Sequence, residues 1–314
     1  MRFELTLLGT GAALPMPGRF TSAQILNVND RLYLVDCGEG TQMQLTEYQV
    51  RRSRIGQIFI SHLHGDHFYG LPGLLTSFAL NDRTQPLDVF SPPGLQQIFT
   101  ALLYYQGGGT SSYPIRFHEV DTTRHRLIFE DHQIEVFSIP LQHGIPTSGY
   151  LFREKPRPRN ILPEKIQEFN ISVENIKAIK KGGNLQLPDG TVIPNAELTA
   201  APARPRSYAY CSDTLYAPEM IPCIKRVDIL YHEATFLQAD ETTARHYGHS
   251  TAAQAARIAQ AAEAQQLIIG HFSSRYKDAA AFEAEARMIF PNTTAAEDGM
   301  VIEVPLRKIL DIRR

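Results

Sequence analysis

Residues 55–67 read Ile55-Gly-Gln-Ile-Phe-Ile-Ser-His-Leu-His-Gly-Asp-His67 and put four metal-ligand side chains into six positions: His62, His64, Asp66 and His67. Three imidazoles and a carboxylate this close repel one another when protonated and desolvate badly when buried bare. A divalent metal removes both problems, because neutral imidazole nitrogen and carboxylate oxygen are ligands that Zn²⁺ takes. Four ligands are also more than a single catalytic zinc draws from one segment. Their alternation predicts that His62 and His64 face one ion while Asp66 and His67 face a neighbour. The preceding Ile58-Phe-Ile60 reads as the core of a buried strand, and a strand end is a rigid launching point.

The elements that must position the rest follow the same plan. Strands are predicted over Arg2–Leu8, Gln24–Val28 and Arg31–Asp36, the last two joined by an Asn29-Asp30 hairpin turn. Gly9, Gly11, Gly38 and Gly40 lie in loops where backbone could approach a metal site. Helices are expected over Thr41–Tyr48, Leu71–Leu80 and Pro93–Tyr105, the last closed by Gly107-Gly-Gly109. Further strands run over Leu87–Phe90, Ile115–Glu119, Arg126–Glu130 and Ile134–Pro140. The last of these delivers His143 into a glycine turn, and beside a half-built metal site His143 reads as a further ligand.

Three later strands also end in chemistry-bearing residues. Ser207–Cys211 leads to Asp213, Asp228–Tyr231 to His232 and Glu233, and Leu267–Gly270 to His271. Asp213 is the residue type that can bridge two ions, since a carboxylate offers two oxygens. A helix from Ser250 to Ala264, capped by Ser250 or Thr251, follows His249. A closing helix spans about Asp278–Ile289, and a last strand spans Met300–Val304. Five strand ends therefore supply ligand or acid–base residues, which a layered α/β protein gathers at one edge of two facing sheets.

Composition narrows the class. The chain has 314 residues, 43% hydrophobic, enough for a sizeable core. It carries no apolar run long enough to span a membrane and no leader pattern, so no membrane partner is expected. Cys37, Cys211 and Cys223 lack Cys-x-x-Cys spacing and suit reduced thiols in a cytoplasmic protein. A net charge of −2 argues against general coating of nucleic acid, yet a local basic patch is enough to engage phosphates. Residues 152–206 hold seven of the 20 prolines and ten Lys/Arg against six Asp/Glu, a net +4 within that acidic chain. Such an insert is expected to bury little of itself and to project as an arm along a nucleic-acid backbone.

His-x-His-x-Asp-His after a buried strand resembles the metal motif of the metallo-β-lactamase superfamily. The longer run Ser61-His-Leu-His-Gly-Asp-His-Phe-Tyr-Gly-Leu-Pro-Gly-Leu74, with His232-Glu-Ala-Thr235 and His249-Ser-Thr251, resembles ribonuclease Z, the endonuclease that trims the 3′ end of precursor tRNA. The resemblance spans Gly9 to His271. It implies one αββα sandwich over residues 1–314, with an arm insertion at 152–206 gripping the tRNA body, and a homodimer. It implies two zinc ions per subunit, the first held by His62, His64, His143 and Asp213. Asp66, His67, the shared Asp213 and His271 would hold the second. Asp66 would orient and deprotonate the attacking water, and His249, oriented by Glu233, would protonate the leaving oxygen. Arg275, Tyr276 and Arg19 are expected to contact substrate. The family's arm typically carries a Gly-Pro pair, absent here, and its Pro-x-Lys-x-Arg-Asn loop reads Pro15-Met-Pro-Gly-Arg-Phe20. The competing reading is a zinc-dependent hydrolase of small phosphodiesters or other esters on the same fold. A third is a catalytically silent RNA-binding or metal-sensing protein.

Overall fold

Alternating apolar residues with β-branched and aromatic side chains build two seven-stranded sheets, seen in a computed structural model that describes residues 2–105 and 113–306. The first sheet comprises β1 (Phe3–Gly9), β2 (Ala23–Val28), β3 (Arg31–Val35), β4 (Ile55–Phe59), β5 (Leu87–Ser91) and β6 (Ile115–Glu119). The second comprises β7 (Leu127–Glu130), β8 (Ile134–Pro140), β9 (Ser148–Glu154), β10 (Ser207–Cys211), β11 (Ile229–Glu233), β12 (Gln266–Gly270) and β13 (Thr293–Ala295). A final strand, β14 (Val301–Glu303), returns to pair antiparallel with β1. Sheet orders are β14-β1-β2-β3-β4-β5-β6 and β13-β12-β11-β10-β9-β8-β7. The β3–β6 ladder is parallel, as is β10–β13. Parallel neighbours send their carboxyl ends to one edge, which is where the ligand types lie. The Asn29-Asp30 turn takes left-handed φ at both residues (47° and 70°), as a two-residue type I′ hairpin requires.

Pleating decides what each side chain meets. Phe3, Leu5, Leu26, Tyr33 and Phe59 of the first sheet share a buried cluster with Tyr150, Phe152, Tyr208, Tyr210 and Ile229 of the second. Phe59 lies 5.4 Å from Tyr150 and 5.3 Å from Phe152, ring centre to ring centre. On the outer face Ile25, Leu34, Ile58 and Ile60 pack with Leu71, Leu74, Phe78 and Phe99 from two helices, Leu71–Leu80 and Leu95–Tyr105. The far face of the second sheet takes a helix over Ala252–Ala261, whose N-cap Thr251 forms a reciprocal capping box with Gln254. Helix, sheet, sheet, helix is the αββα order expected. The Gly107–Gly109 stop lies outside the described residues.

Two features depart from expectation. Strand β9 runs three residues into the insert predicted to begin at 152, because Gly149-Tyr-Leu-Phe152 is an apolar run that the neighbouring prolines disguise. The insert also has its own core. Glu154–Arg206 forms a separate compact unit in which Ile171, Ile179, Leu185 and Leu198 are buried, with Ile166, Phe169 and Ile176 against them. Two helices, Pro163–Glu168 and Val173–Lys180, contribute Ile166, Ile176 and Ile179, and the segments around them supply the rest. The two ends of the unit are joined by a buried ion pair, Arg206 Nη2 to Glu154 Oε1 at 2.8 Å and Nε to Oε2 at 2.9 Å. That fork-to-fork geometry is the strong form of a carboxylate–guanidinium contact.

Candidate metal centre

Strand β4 ends in the loop that carries His62, then the short helix Gly65–Phe68 carries Asp66 and His67 inward. The loop after β8 brings His143, and the carboxyl ends of β10 and β12 bring Asp213 and His271. Asp213 and His271 both take left-handed backbone, φ 49° and 59°, as does Asp36 at the end of β3, φ 54°. Three non-glycine residues bent this way at strand ends represent conformational cost maintained by surrounding structure. Each turn swings a side chain over the sheet edge instead of continuing the strand.

The seven residues fall into two groups whose donor atoms lie within 4.8 Å of one another, His62/His64/His143/Asp213 and Asp66/His67/His271. Within the first, Nδ1 of His64 lies 3.1 Å from His62 Nε2 and 3.2 Å from His143 Nε2. In the second, His67 Nε2 and His271 Nε2 are 3.3 Å apart. Asp213 spans the two. Its Oδ1 is 3.2 Å from both His67 Nε2 and His271 Nε2, while its Oδ2 is 3.4 Å from His62 Nε2 and 3.8 Å from His143 Nε2. Asp66 Oδ2 lies 3.6 Å from His67 Nε2 and 3.5 Å from His271 Nε2.

These spacings test whether the residues fit a metal. Ligands 2.0–2.1 Å from a tetrahedral zinc are about 3.3 Å from each other, which is the spacing seen here. The outer hydrogen bonds set the tautomers. His143 Nδ1 meets the carbonyl of Gly248 at 2.8 Å, and His67 Nδ1 meets Asp36 Oδ2 at 2.7 Å. A carbonyl and a carboxylate only accept, so both Nδ1 atoms carry the proton and both Nε2 lone pairs point inward. His271 Nδ1 is similarly engaged by Thr235 Oγ1 at 3.0 Å. Bare nitrogens 3.3 Å apart with no proton between them are repulsive, and a cation between them is the chemical remedy. The donor set could therefore hold metal.

Electrostatics distinguish the two groups. Burial, then the neighbouring His67, pushes His62 well below the usual imidazole range, and burial lowers His64, leaving neutral ligands. Burial would also lower His67, but Asp213, Asp66 and Asp36 outweigh it and raise that residue. Asp213 is held well below the ordinary carboxylate range although burial opposes this, because His271, His67 and His62 surround it.

Asp36 is a site residue that sequence reasoning missed. Wholly buried, it accepts from Ser61 N (2.7 Å), Ser61 Oγ (2.9 Å), Tyr210 Oη (2.6 Å) and His67 Nδ1. Only its place at the end of the predicted strand Arg31–Asp36, just before the loop with Gly38 and Gly40, hinted at it. Gly38 in that loop has a packing duty, since a Cβ there would meet the Asp66 carbonyl oxygen at 2.3 Å.

A cleft of about 660 Å³ opens over the ligands. His249 lies on its wall, with Nδ1 2.9 Å from Glu233 Oε1. Glu233, wholly buried at the end of β11, also accepts from Thr214 N at 2.7 Å and Thr235 Oγ1 at 2.6 Å. Burial lowers the His249 pKa, yet the charge and hydrogen bond of Glu233 prevail and it is pushed up to about 9. Asp213, His249 and His271 make a third group of suitable spacing. Arg275 reaches the cleft, its guanidinium 5.7 Å from the Phe236 ring centre. Tyr276 does not line it: the phenol hydroxyl bonds Asp240 and the ring packs edge-on against Phe282. Arg19 lies over Phe272 at 5.3 Å, and Ala12, Ala13, Leu14 and Pro15 form that stretch of wall instead. His232 is buried with Nδ1 on the Glu233 carbonyl, outside the ligand groups.

Two facing mixed sheets with outer helices and a histidine–aspartate cluster at their shared edge define a metallo-β-lactamase-fold protein. Residues 162–272 match the family described as beta-lactamase superfamily domain, and residues 3–143 that described as anti-Pycsar protein Apyc1. A ribonuclease Z of Bacteroides thetaiotaomicron is 46% identical over 303 residues, covering 96% of each chain. One of Porphyromonas gingivalis is 43% identical over 302 residues, covering 96% of this chain and 99% of its own. The crystal structure of human tRNase Z, short form, superposes with a TM-score of 0.70 at 29% identity over 96% of this chain and 99% of that one. The chain belongs to the ribonuclease Z family.

Proposed function

We propose that this protein is a metal-dependent endoribonuclease that removes the 3′ trailer from precursor tRNA, leaving a 3′-hydroxyl. The observation that carries the reading is the spacing of seven ligand atoms in two groups bridged by one carboxylate, with a carboxylate-charged histidine beside them. His62, His64, His143 and Asp213 would hold one zinc, and Asp66, His67, Asp213 and His271 the second. Bound there, the ions supply positive charge against the phosphodiester and acidify the attacking water.

The chain's own residues do the rest. Asp66, its Oδ2 fixed by the Ala13 backbone N–H at 2.7 Å, takes the proton of that water. His249, held charged by Glu233, gives its Nε2 proton to the departing 3′-oxygen. Thr214 N and Thr235 Oγ1 hold the Glu233 carboxylate in place, so the imidazole is aimed rather than merely nearby. Arg275, exposed beside Phe236, is suited to a substrate phosphate.

Glu154–Arg206 is the proposed tRNA grip. Lys177, Lys180 and Lys181 are exposed at the end of the helix Val173–Lys180. By contrast Arg157 is engaged by Glu154 at 2.7 Å and Arg159 by Thr199 at 2.6 Å. The lysine cluster, rather than the Pro-rich arginines, is therefore the surface that would meet the phosphate backbone. A homodimer, in which one subunit's grip serves the other's active site, is the proposed assembly. No helix among the described residues is long and apolar enough to cross a membrane, and all three cysteines are free, which supports a cytoplasmic enzyme.

Turnover of a trailer-bearing precursor tRNA is measured beside turnover of a small aryl phosphodiester. Selective cleavage of the precursor supports the proposal. Hydrolysis of the small diester alone would sink it in favour of the small-substrate hydrolase.

A further inference from the structure

Two large aromatic rings stand exposed on the wall of the active-site cleft. Tyr69 is 65% exposed and Tyr247 55%, and neither belongs to the ligand or acid–base groups. Each is tied to a different side of the reacting centre. Tyr69 follows the metal loop directly, and its ring lies against Gly65, where a Cβ would meet it at 2.3 Å. Only glycine between His64 and Asp66 lets that ring rest on the loop. Phe68 supports it edge-on, with centroids 5.0 Å apart. Tyr247 ends the helix Glu241–Tyr247, two residues before His249 and next to Gly248, whose carbonyl fixes His143.

What sets these two phenol rings apart from other exposed apolar side chains is their place on the wall of the cleft, where each offers a flat face to whatever enters it. A nucleobase suits such a face, and base–aromatic stacking tolerates any sequence because every base has a π-face. RNA ends recognised by proteins are commonly splayed and stacked in this way.

We infer that Tyr247 and Tyr69 stack the bases on the two sides of the scissile phosphate. The assignment of sides rests on the endoribonuclease reading above. Water oxygen bonds to phosphorus and its proton passes to Asp66. The P–O3′ bond breaks, its electron pair stays on O3′, and His249 protonates that oxygen to the 3′-hydroxyl, while the phosphate remains on the trailer. The nucleotide carrying O3′ therefore lies on the His249 side, against Tyr247. The first trailer base lies over the Asp66 loop, against Tyr69.

The test uses metal-loaded protein with His249→Ala to slow turnover, and precursor tRNA carrying 2-aminopurine as the last mature or the first trailer nucleotide. Stacking quenches that fluorophore. Tyr247→Ala relieves quenching at the last mature nucleotide and Tyr69→Ala at the first trailer nucleotide, each weakening binding by about 5- to 100-fold. Tyr247→Phe and Tyr69→Phe, which keep the ring, retain both. Quenching that persists in the alanine variants, vanishes in the phenylalanine variants or swaps position overturns the assignment. Cleavage of unlabelled precursor by the wild type is scored alongside. Its absence contradicts the endoribonuclease reading, whereas cleavage with unaltered quenching contradicts the tyrosine assignment alone.

Discussion

Glu233→Gln removes one charge and almost no volume from a wholly buried position, so it isolates what the carboxylate does for His249. With Glu233 present the imidazole pKa is pushed up to about 9, against the pull of burial. A general acid works while protonated, so a raised pKa extends activity upward in pH and its loss appears as pH rises through that value. Without the carboxylate, the pKa falls toward the ordinary value of about 6.5 or below. At pH 8 the protonated fraction then drops from about 0.9 to about 0.03, a rate loss of roughly thirtyfold, while at pH 6 the loss is under about twofold. With divalent metal bound both curves move down together, so the separation between the two alkaline limbs is the quantity to follow. Single-turnover cleavage of a trailer-bearing precursor, measured from about pH 6 to about pH 9.5, gives both limbs. A defect of the same size at every pH would refute the charge argument and leave Glu233 only a positioning role. His249→Ala should lower the rate by about 10²–10⁴ and retain full metal content. Loss of one metal in that variant would make His249 a ligand instead.

Asp36→Ala strips the acceptor from His67 Nδ1. Loss of such an outer partner typically weakens metal affinity by about 10- to 100-fold, which competition with a chromogenic chelator reads directly. Arg206→Ala leaves the Glu154 carboxylate buried without its bidentate partner. Arg157 at 2.7 Å still offsets part of that charge, so denaturant unfolding should show a loss of about 2–3 kcal/mol. A wholly unpaired buried charge would show about 3–5 kcal/mol, and an exposed ion pair at most about 1 kcal/mol. Replacing Lys177, Lys180 and Lys181 together with alanine should raise KM for precursor tRNA, spare kcat, and flatten the salt dependence of binding by up to about three phosphate contacts. An unchanged salt slope would contradict the proposed grip.

What the sequence revealed follows from where its information lies. Strands such as Ile115–Glu119, Ile134–Pro140 and Ser207–Cys211 have the predicted bounds, because their β-branched and aromatic runs end at obvious turns. Ligand types were visible because each falls just beyond such a strand. Asp36 was not, since its value comes from His67, 31 residues away, and Tyr210, 174 residues away. Tyr276 misled because adjacency to His271 in sequence says nothing of direction, and the chain after the strand turns its phenol toward Asp240. The insert's core escaped notice because its apolar residues come singly. Ile166/Phe169 and Ile176/Ile179 are each one helical turn apart, a pattern that prolines and lysines mask. Tyr69 and Tyr247 carry no spacing signature, and only their exposure over the cleft marks them.

The most direct test of the account is to incubate the purified protein with a precursor tRNA bearing a 3′ trailer, with and without chelator, and to map both new ends. Cleavage just after the discriminator base, giving a 3′-hydroxyl on the tRNA and a 5′-phosphate on the trailer, abolished by chelation and restored by zinc, is the predicted result. Intact precursor in the presence of protein shown to hold about two zinc ions per chain, the number a two-metal mechanism needs, would contradict it.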